Sequence, residues 1–164
     1  MKWVYLAVLL SWVEFSGVYA REVIIEGVVT KVHDGDSLHV TPRGGKRIIV
    51  RAKSVDSPEL AQPGGIEARD FLRTTVLNRH VQIRCDKEDQ YKRAICVVYY
   101  AGHDINLLLV QYGHAHYDDR YASELSESDR IAYAQAESNA IKNKLGLWRD
   151  SVVIEPWVFR KQQK

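Results

Sequence analysis

The chain has 164 residues, 46% of them hydrophobic and 27% charged, which lies within the range of ordinary globular proteins and excludes disorder, collagen and a long coiled coil. A chain of this length fills one domain of roughly 100 to 200 residues and leaves little room for a second. Lys and Arg number 23 against 21 acids, a net charge of +2, so the signature of a bulk DNA coater is absent while a local basic groove remains open.

The first twenty residues differ from the rest. Lys2, the apolar run Trp3 to Val13 and the closing Val18-Tyr19-Ala20 form the pattern of a secretory signal peptide cleaved after Ala20. The run is shorter than the roughly 20 residues that span a bilayer, and Glu14 interrupts it. An uncleaved anchor is the alternative. The expected division is a leader over 1–20, a folded domain over 21–150 and a tail over 151–164, whose mixed apolar and basic composition assigns it no element. Export would permit a disulfide between Cys85 and Cys96.

In chain order, the β-rich run Val23 to Val32 meets the turn Asp34-Gly35-Asp36, and Ser37-Leu38-His39-Val40 returns as the second arm of a hairpin. Thr41 to Gly45 punctuates the chain before a third strand within Lys46 to Val55. From Ile66 to Leu77 the spacing of Ala68, Phe71, Leu72, Thr75 and Val76 predicts a helix. Val81 to Cys85 and Ala94 to Val98 then read as a hairpin joined by the polar stretch Lys87 to Arg93. A register pairing Lys87 with Ala94 also pairs Cys85 with Cys96, and a slip of one residue separates them, so a disulfide and two buried free thiols both stay open. Asp104 is placed to cap a helix from Ile105 to Tyr112 that Gly113 ends, and a last helix runs from about Ser128 to Lys144. The order βββαββαα predicts an α+β fold with a mainly β core: a five-stranded Greek-key barrel of the OB type carrying three helices.

Charged chemistry gathers at three strand ends: Asp34-Gly35-Asp36; Arg51 with Asp56-Ser57-Pro58-Glu59; and Asp89-Gln90-Tyr91-Lys92-Arg93. Carboxylates converging on one rim of a barrel repel one another unless protons or a cation neutralise them. Oxygen donors suit calcium or magnesium, and no His or Cys pairs with these acids in the manner of a zinc site. Arginines in the same group point to an anionic substrate, because a guanidinium forks onto phosphate oxygens and holds charge as it develops. Together these features describe a phosphodiesterase that uses water as its nucleophile.

The ordered motifs Val32-His33-Asp34-Gly35-Asp36-Ser37, Arg51 with Asp56-Ser57-Pro58-Glu59, Asp89 to Arg93, Asn106 to Ala115, and Ala136-Glu137 through Gly146-Leu147-Trp148 resemble staphylococcal nuclease and its thermonuclease relatives. The resemblance implies an OB-fold endonuclease that hydrolyses single- and double-stranded DNA and RNA with one calcium ion, magnesium or manganese being less suited, and releases 3′-phosphates. It implies Asp36, Asp56 and the backbone carbonyl of Ser57 as calcium ligands, Asp34 as their support, and Glu59 beside the attacking water. Arg51 and Arg93 become the groups that grip the phosphate, and Tyr91 and Tyr117, with Tyr121 as an alternative, the nucleotide-pocket tyrosines. A secreted or periplasmic monomer without stable membrane insertion is the expected form.

Three departures from the family pattern stand out: Lys92 where relatives commonly carry Gly, Ser57 for the commoner Thr, and a short loop after Glu59. A catalytically weak nucleic-acid-binding or interaction module on the same barrel is the second class of function, which retention of the five charged positions opposes. A zinc hydrolase using His114 and His116 is the third, and residues two apart share a side only in a strand.

Overall fold

The computed structural model describes residues 22–149 and 153–163, so the expected leader lies outside the described residues. Strands β1 (Val23–Val32), β2 (Ser37–Pro42) and β3 (Ile48–Ala52) form an antiparallel meander, followed by the two-residue strand β4 (Val55–Asp56) and helix α1 (Gly65–Val76). Strands β5 (His80–Glu88) and β6 (Ala94–Tyr100) make the second hairpin, and short strand β7 (His103–Asp104) leads into helix α2 (Ile105–Gln111). Strand β8 (His116–Tyr117), a 3-10 helix (Asp119–Glu124), helix α3 (Glu127–Lys142), a second 3-10 helix (Gly146–Arg149) and helix α4 (Pro156–Gln162) complete the described chain.

The hydrogen-bonded order β3-β2-β1-β5-β6 closes on itself through a parallel pairing of β3 with β6. The result is a five-stranded barrel of OB type in a mixed α+β fold. Each strand buries alternate residues: Val81, Ile83 and Cys85 in β5, Cys96 and Val98 in β6. This period of two is what places one face of the sheet in the interior. Val29, Leu38, Val40, Val50, Ile83 and Val98 fill that interior and are almost wholly shielded from solvent, each side chain contributing roughly 1.5–3 kcal/mol relative to exposure.

Helices cover the barrel where their apolar stripes predict. Leu72 and Val76 of α1 and Ile105 and Leu109 of α2 join the core. Asp104 caps α2 by accepting the Leu107 backbone N–H at 3.0 Å through Oδ1, while its Oδ2 accepts the buried Tyr133 hydroxyl at 2.8 Å. Burial raises the pKa of Asp104 despite these two donors. Asn106, fully buried, donates to the carbonyls of Lys53 and Cys96 and accepts the Val98 N–H, so one amide ties the β3–β4 turn, β6 and α2 together.

Two details differ from the sequence expectation. Cys85 does lie opposite Cys96, and the two are joined as a disulfide, but Lys87 pairs with Ile95 instead of Ala94. A β-bulge at Asp86 absorbs the extra residue, and Asp86 accepts a bond from Lys53. The tail also folds: Pro156 occupies the first turn of α4, where its missing N–H costs nothing, so four α-helices stand among the described residues where three are predicted. Gln62 donates to the Ile154 carbonyl and the Trp157 ring lies 5.5 Å from that of His116, which docks this segment against the barrel.

Candidate active site

The floor of the site is built by a turn pressed against a loop. Asp34 Oδ1 accepts the backbone N–H groups of Asp36 and Ser37 at 3.1 and 2.7 Å, closing the first hairpin turn. Gly35 makes the close approach possible, since a Cβ there would stand 2.6 Å from Ser57 Cβ and 2.8 Å from Ala68 Cβ. The Asp36 carboxylate therefore reaches the Ser57 N–H, which donates to Oδ2 at 2.7 Å. Pairing of β4 with β8 sets Asp56 opposite His116 and leaves it only 1% exposed.

Arg51, opposite Ser37 in the β2–β3 register, spans both acids. Its Nη1 lies 2.8 Å from Asp36 Oδ2 and its Nη2 2.9 Å from Asp56 Oδ1. Burial pushes Asp36 up to about 7; the Arg51 charge opposes that rise and the neighbouring Asp34 and Asp56 add to it.

Across the cleft, the tip of the β5–β6 hairpin is organised by Asp89. Its Oδ1 accepts the N–H groups of Tyr91 and Arg93, both at 2.9 Å, and its Oδ2 accepts Arg93 Nε at 2.8 Å. The burial cost is outweighed by these donors, so the carboxyl of Asp89 sits below its ordinary range. The Arg93 guanidinium lies 5.5 Å from the centre of the exposed Tyr91 ring. Lys92 adopts φ +63°, a left-handed conformation that favours glycine.

These elements line one cavity of about 800 Å³ that holds Asp36, Arg51, Asp56, Ser57, Glu59, Tyr91 and Arg93 together. Tyr121 also lines it, with Lys87 Nζ 5.3 Å from its ring centre. Tyr117 does not. Its ring packs 5.7 Å from that of Tyr133, and its N–H donates to Glu137 on the α3 side. Pairing with β4 holds Tyr117 beside α3, and the 3-10 helix after it carries Tyr121 back to the cleft, so Tyr121 and not Tyr117 joins Tyr91 in this cavity. The histidines also part company: His114 stacks on Phe71 at 4.4 Å, whereas His116 lies between Trp148 and Trp157. Burial lowers the pKa of both.

A third arginine, which sequence reasoning missed, enters from α4. Arg160 Nη1 and Nη2 fork onto Asp56 Oδ1 and Oδ2 at 3.1 and 2.7 Å, and Nη1 also donates to Glu59 Oε1 at 2.8 Å. The carboxylates raise its pKa further above the ordinary arginine range. Arg120, held by both oxygens of Asp118, stands 4.0 Å from Asp56 Oδ2.

Asp36, Asp56 and Glu59 offer only oxygen donors, the set that hard divalent ions prefer. Among the described residues no three Asp, Glu, His or Cys side chains form a ready coordination shell. Guanidinium groups occupy the carboxylate oxygens instead, and a cluster that draws Arg51 and Arg160 onto Asp56 fits a cation. Ser57 contributes no free hydroxyl, because its Oγ donates to the His114 carbonyl at 3.0 Å.

A closed OB barrel whose rim gathers carboxylates opposite arginines defines a class of proteins that act on phosphate esters. The family model described as staphylococcal nuclease homologue matches residues 49–150. The chain belongs to that family and is a nuclease of the hydrolase class. It is 37% identical over 136 residues to an uncharacterized endonuclease of Haemophilus influenzae, covering 83% of this chain and 73% of that protein. It is 33% identical over 147 residues to a micrococcal nuclease of Shigella flexneri, covering 84% and 82%. An uncharacterized endonuclease of Escherichia coli O157:H7 is 27% identical over 140 residues, covering 85% and 87%.

Proposed function

We propose that the protein is an exported, calcium-dependent endonuclease that cleaves single- and double-stranded DNA and RNA to leave 3′-phosphates. The observation that carries this reading is the bridge of Arg51 across Asp36 and Asp56 on one wall of a cleft whose other wall presents Arg93 beside Tyr91. Asp36, Asp56 and the Ser57 carbonyl would hold the ion, which would polarise the phosphate and offset the crowded negative charge.

The chain's own residues supply the remaining steps. Arg51 grips the non-bridging phosphate oxygens. Glu59 orients a water and accepts its proton as the water oxygen bonds to phosphorus and the bond to the 5′-oxygen breaks. Arg93 holds the charge that grows on the phosphorus oxygens and on the departing 5′-oxygen, which takes a proton from solvent. Tyr91 and Tyr121 offer aromatic faces that stack on any base, in keeping with weak sequence preference. Export is supported by the leader pattern before Arg21 and by the Cys85–Cys96 disulfide.

Incubation of residues 21–164 with each nucleic acid in calcium, magnesium or chelator, followed by end-group analysis, tests this reading. Calcium-dependent cleavage of all three substrates to 3′-phosphates is expected. A folded protein that cleaves none of them in any metal would instead be a binding module.

A further inference from the structure

The tail helix places a guanidinium on the carboxylates assigned above to cation binding and water activation, and this inference rests on that assignment. Asp56 Oδ1 accepts Arg51 Nη2 at 2.9 Å and Arg160 Nη1 at 3.1 Å, which uses both lone pairs of that oxygen; Oδ2 accepts Arg160 Nη2 at 2.7 Å. A cation that binds Oδ1, or that takes both oxygens of Asp56, must therefore displace a donor. Arg51 is anchored on a barrel strand, is bonded to Asp36 as well, and is 15% exposed. Arg160 lies near the end of a seven-residue helix and is 42% exposed, so it is the donor that can leave.

We propose that Arg160 is a positioning residue of the cation site: in the cation-free protein its guanidinium holds Asp56 and Glu59, and an arriving divalent cation displaces it. While seated, it neutralises carboxylates that would otherwise repel one another and ties up Glu59, so the water-activating carboxylate becomes free only when the ion is in place. The displaced side chain stays near the cleft mouth because α4 has holds of its own. Trp157 lies between the His116 ring and the Arg120 guanidinium, which stands 4.7 Å from its centre, and Gln62 holds the Ile154 carbonyl.

Calorimetric titration of residues 21–164 with calcium, for wild type, Arg160→Ala and Arg160→Lys, tests the competition. Trp148 and Trp157 are the tryptophans of that segment, so their two indole N–H resonances report on α4 during the same titration. Arg160→Ala is expected to bind calcium about threefold or more tightly than wild type, the size of a partly exposed ion pair released. Arg160→Lys, which keeps the charge without the fork, is expected to fall between. In wild type, calcium is expected to move the Trp157 indole resonance toward its position in calcium-free Arg160→Ala. Unchanged or weaker calcium binding by Arg160→Ala overturns the inference. Tighter binding by Arg160→Ala with no calcium-driven shift at Trp157 in wild type also overturns it, because loss of a nearby charge then accounts for the gain. The absence of calcium binding in all three proteins overturns the calcium assignment itself, and the inference with it.

Discussion

The two walls of the cleft are made differently. The Asp36–Arg51–Asp56 wall is buried, with every charged group held by strand pairing, a glycine-dependent close approach and backbone N–H donors. The Arg93 wall is a hairpin tip in which Asp89 makes the side-chain bonds to Tyr91 and Arg93, and Tyr91 is 68% exposed. A buried wall fixes where the phosphate sits, and an exposed tip can accept bases and sugars of differing shape. Stability and catalysis are therefore coupled on the first wall and separable on the second.

Substitutions on opposite walls test that coupling. Arg51→Ala and Arg93→Ala are both expected to lower turnover by about 100-fold or more, since each removes a donor to developing phosphate charge. Only Arg51→Ala is expected to cost stability as well, about 1–3 kcal/mol in urea unfolding, because it removes the donor that the buried Asp36 and Asp56 share while Asp56 keeps Arg160. Equal stability losses for the two variants would erase the distinction between the walls.

Removing a carboxylate charge from the buried wall sharpens it further. Asp36, raised to about 7 from an ordinary 3.8, keeps in the folded state a proton that the unfolded chain releases above pH 4. The stability this lends is complete below the unfolded value and is lost as pH rises through the folded one. Metal-free wild type is therefore expected to lose up to about 1.4 kcal/mol per pH unit between pH 4 and 7 relative to Asp36→Asn. Urea midpoints across that range check this. Parallel pH profiles would show that Asp36 carries no such proton. The smallest effect belongs to the exposed wall: Lys92→Gly is expected to gain about 1 kcal/mol or less by relieving the left-handed backbone, balanced against glycine's greater freedom when unfolded.

Much of the barrel was legible because its signals are local. Alternation in β5 and β6, the Asp104 cap and Gly113 at the end of α2 depend on neighbours in sequence. The Asp36, Arg51, Asp56 and Glu59 positions were legible as motifs, although the bridge made by Arg51 was not. Which tyrosine faces the cleft was not legible, because a two-residue strand pairing decides it and nothing within His114 to Tyr121 announces that β4 is its partner. Arg160 was illegible for a stronger reason: its carboxylate partners lie 101 and 104 residues away, and its helix signals only a proline start with basic residues near the end. The Asp86 bulge escaped the hairpin pattern because the register either side of it reads equally well.

The pairing that closes the barrel sets Arg51 against Ile95 and Val50 against Ala94, the residue after Arg93. The spacing between the two phosphate-gripping arginines is thus written into the last join of the sheet. Should those few parallel bonds open while the rest of the sheet persists, Arg51 would stay in β3 and Arg93 just before β6, but each would lose its bearing on the other. Amide hydrogen exchange at Lys53, whose N–H donates to the Cys96 carbonyl across that join at 2.8 Å, would then count the molecules that are competent at a given moment, a measure of readiness that neither a melting curve nor a burial figure contains.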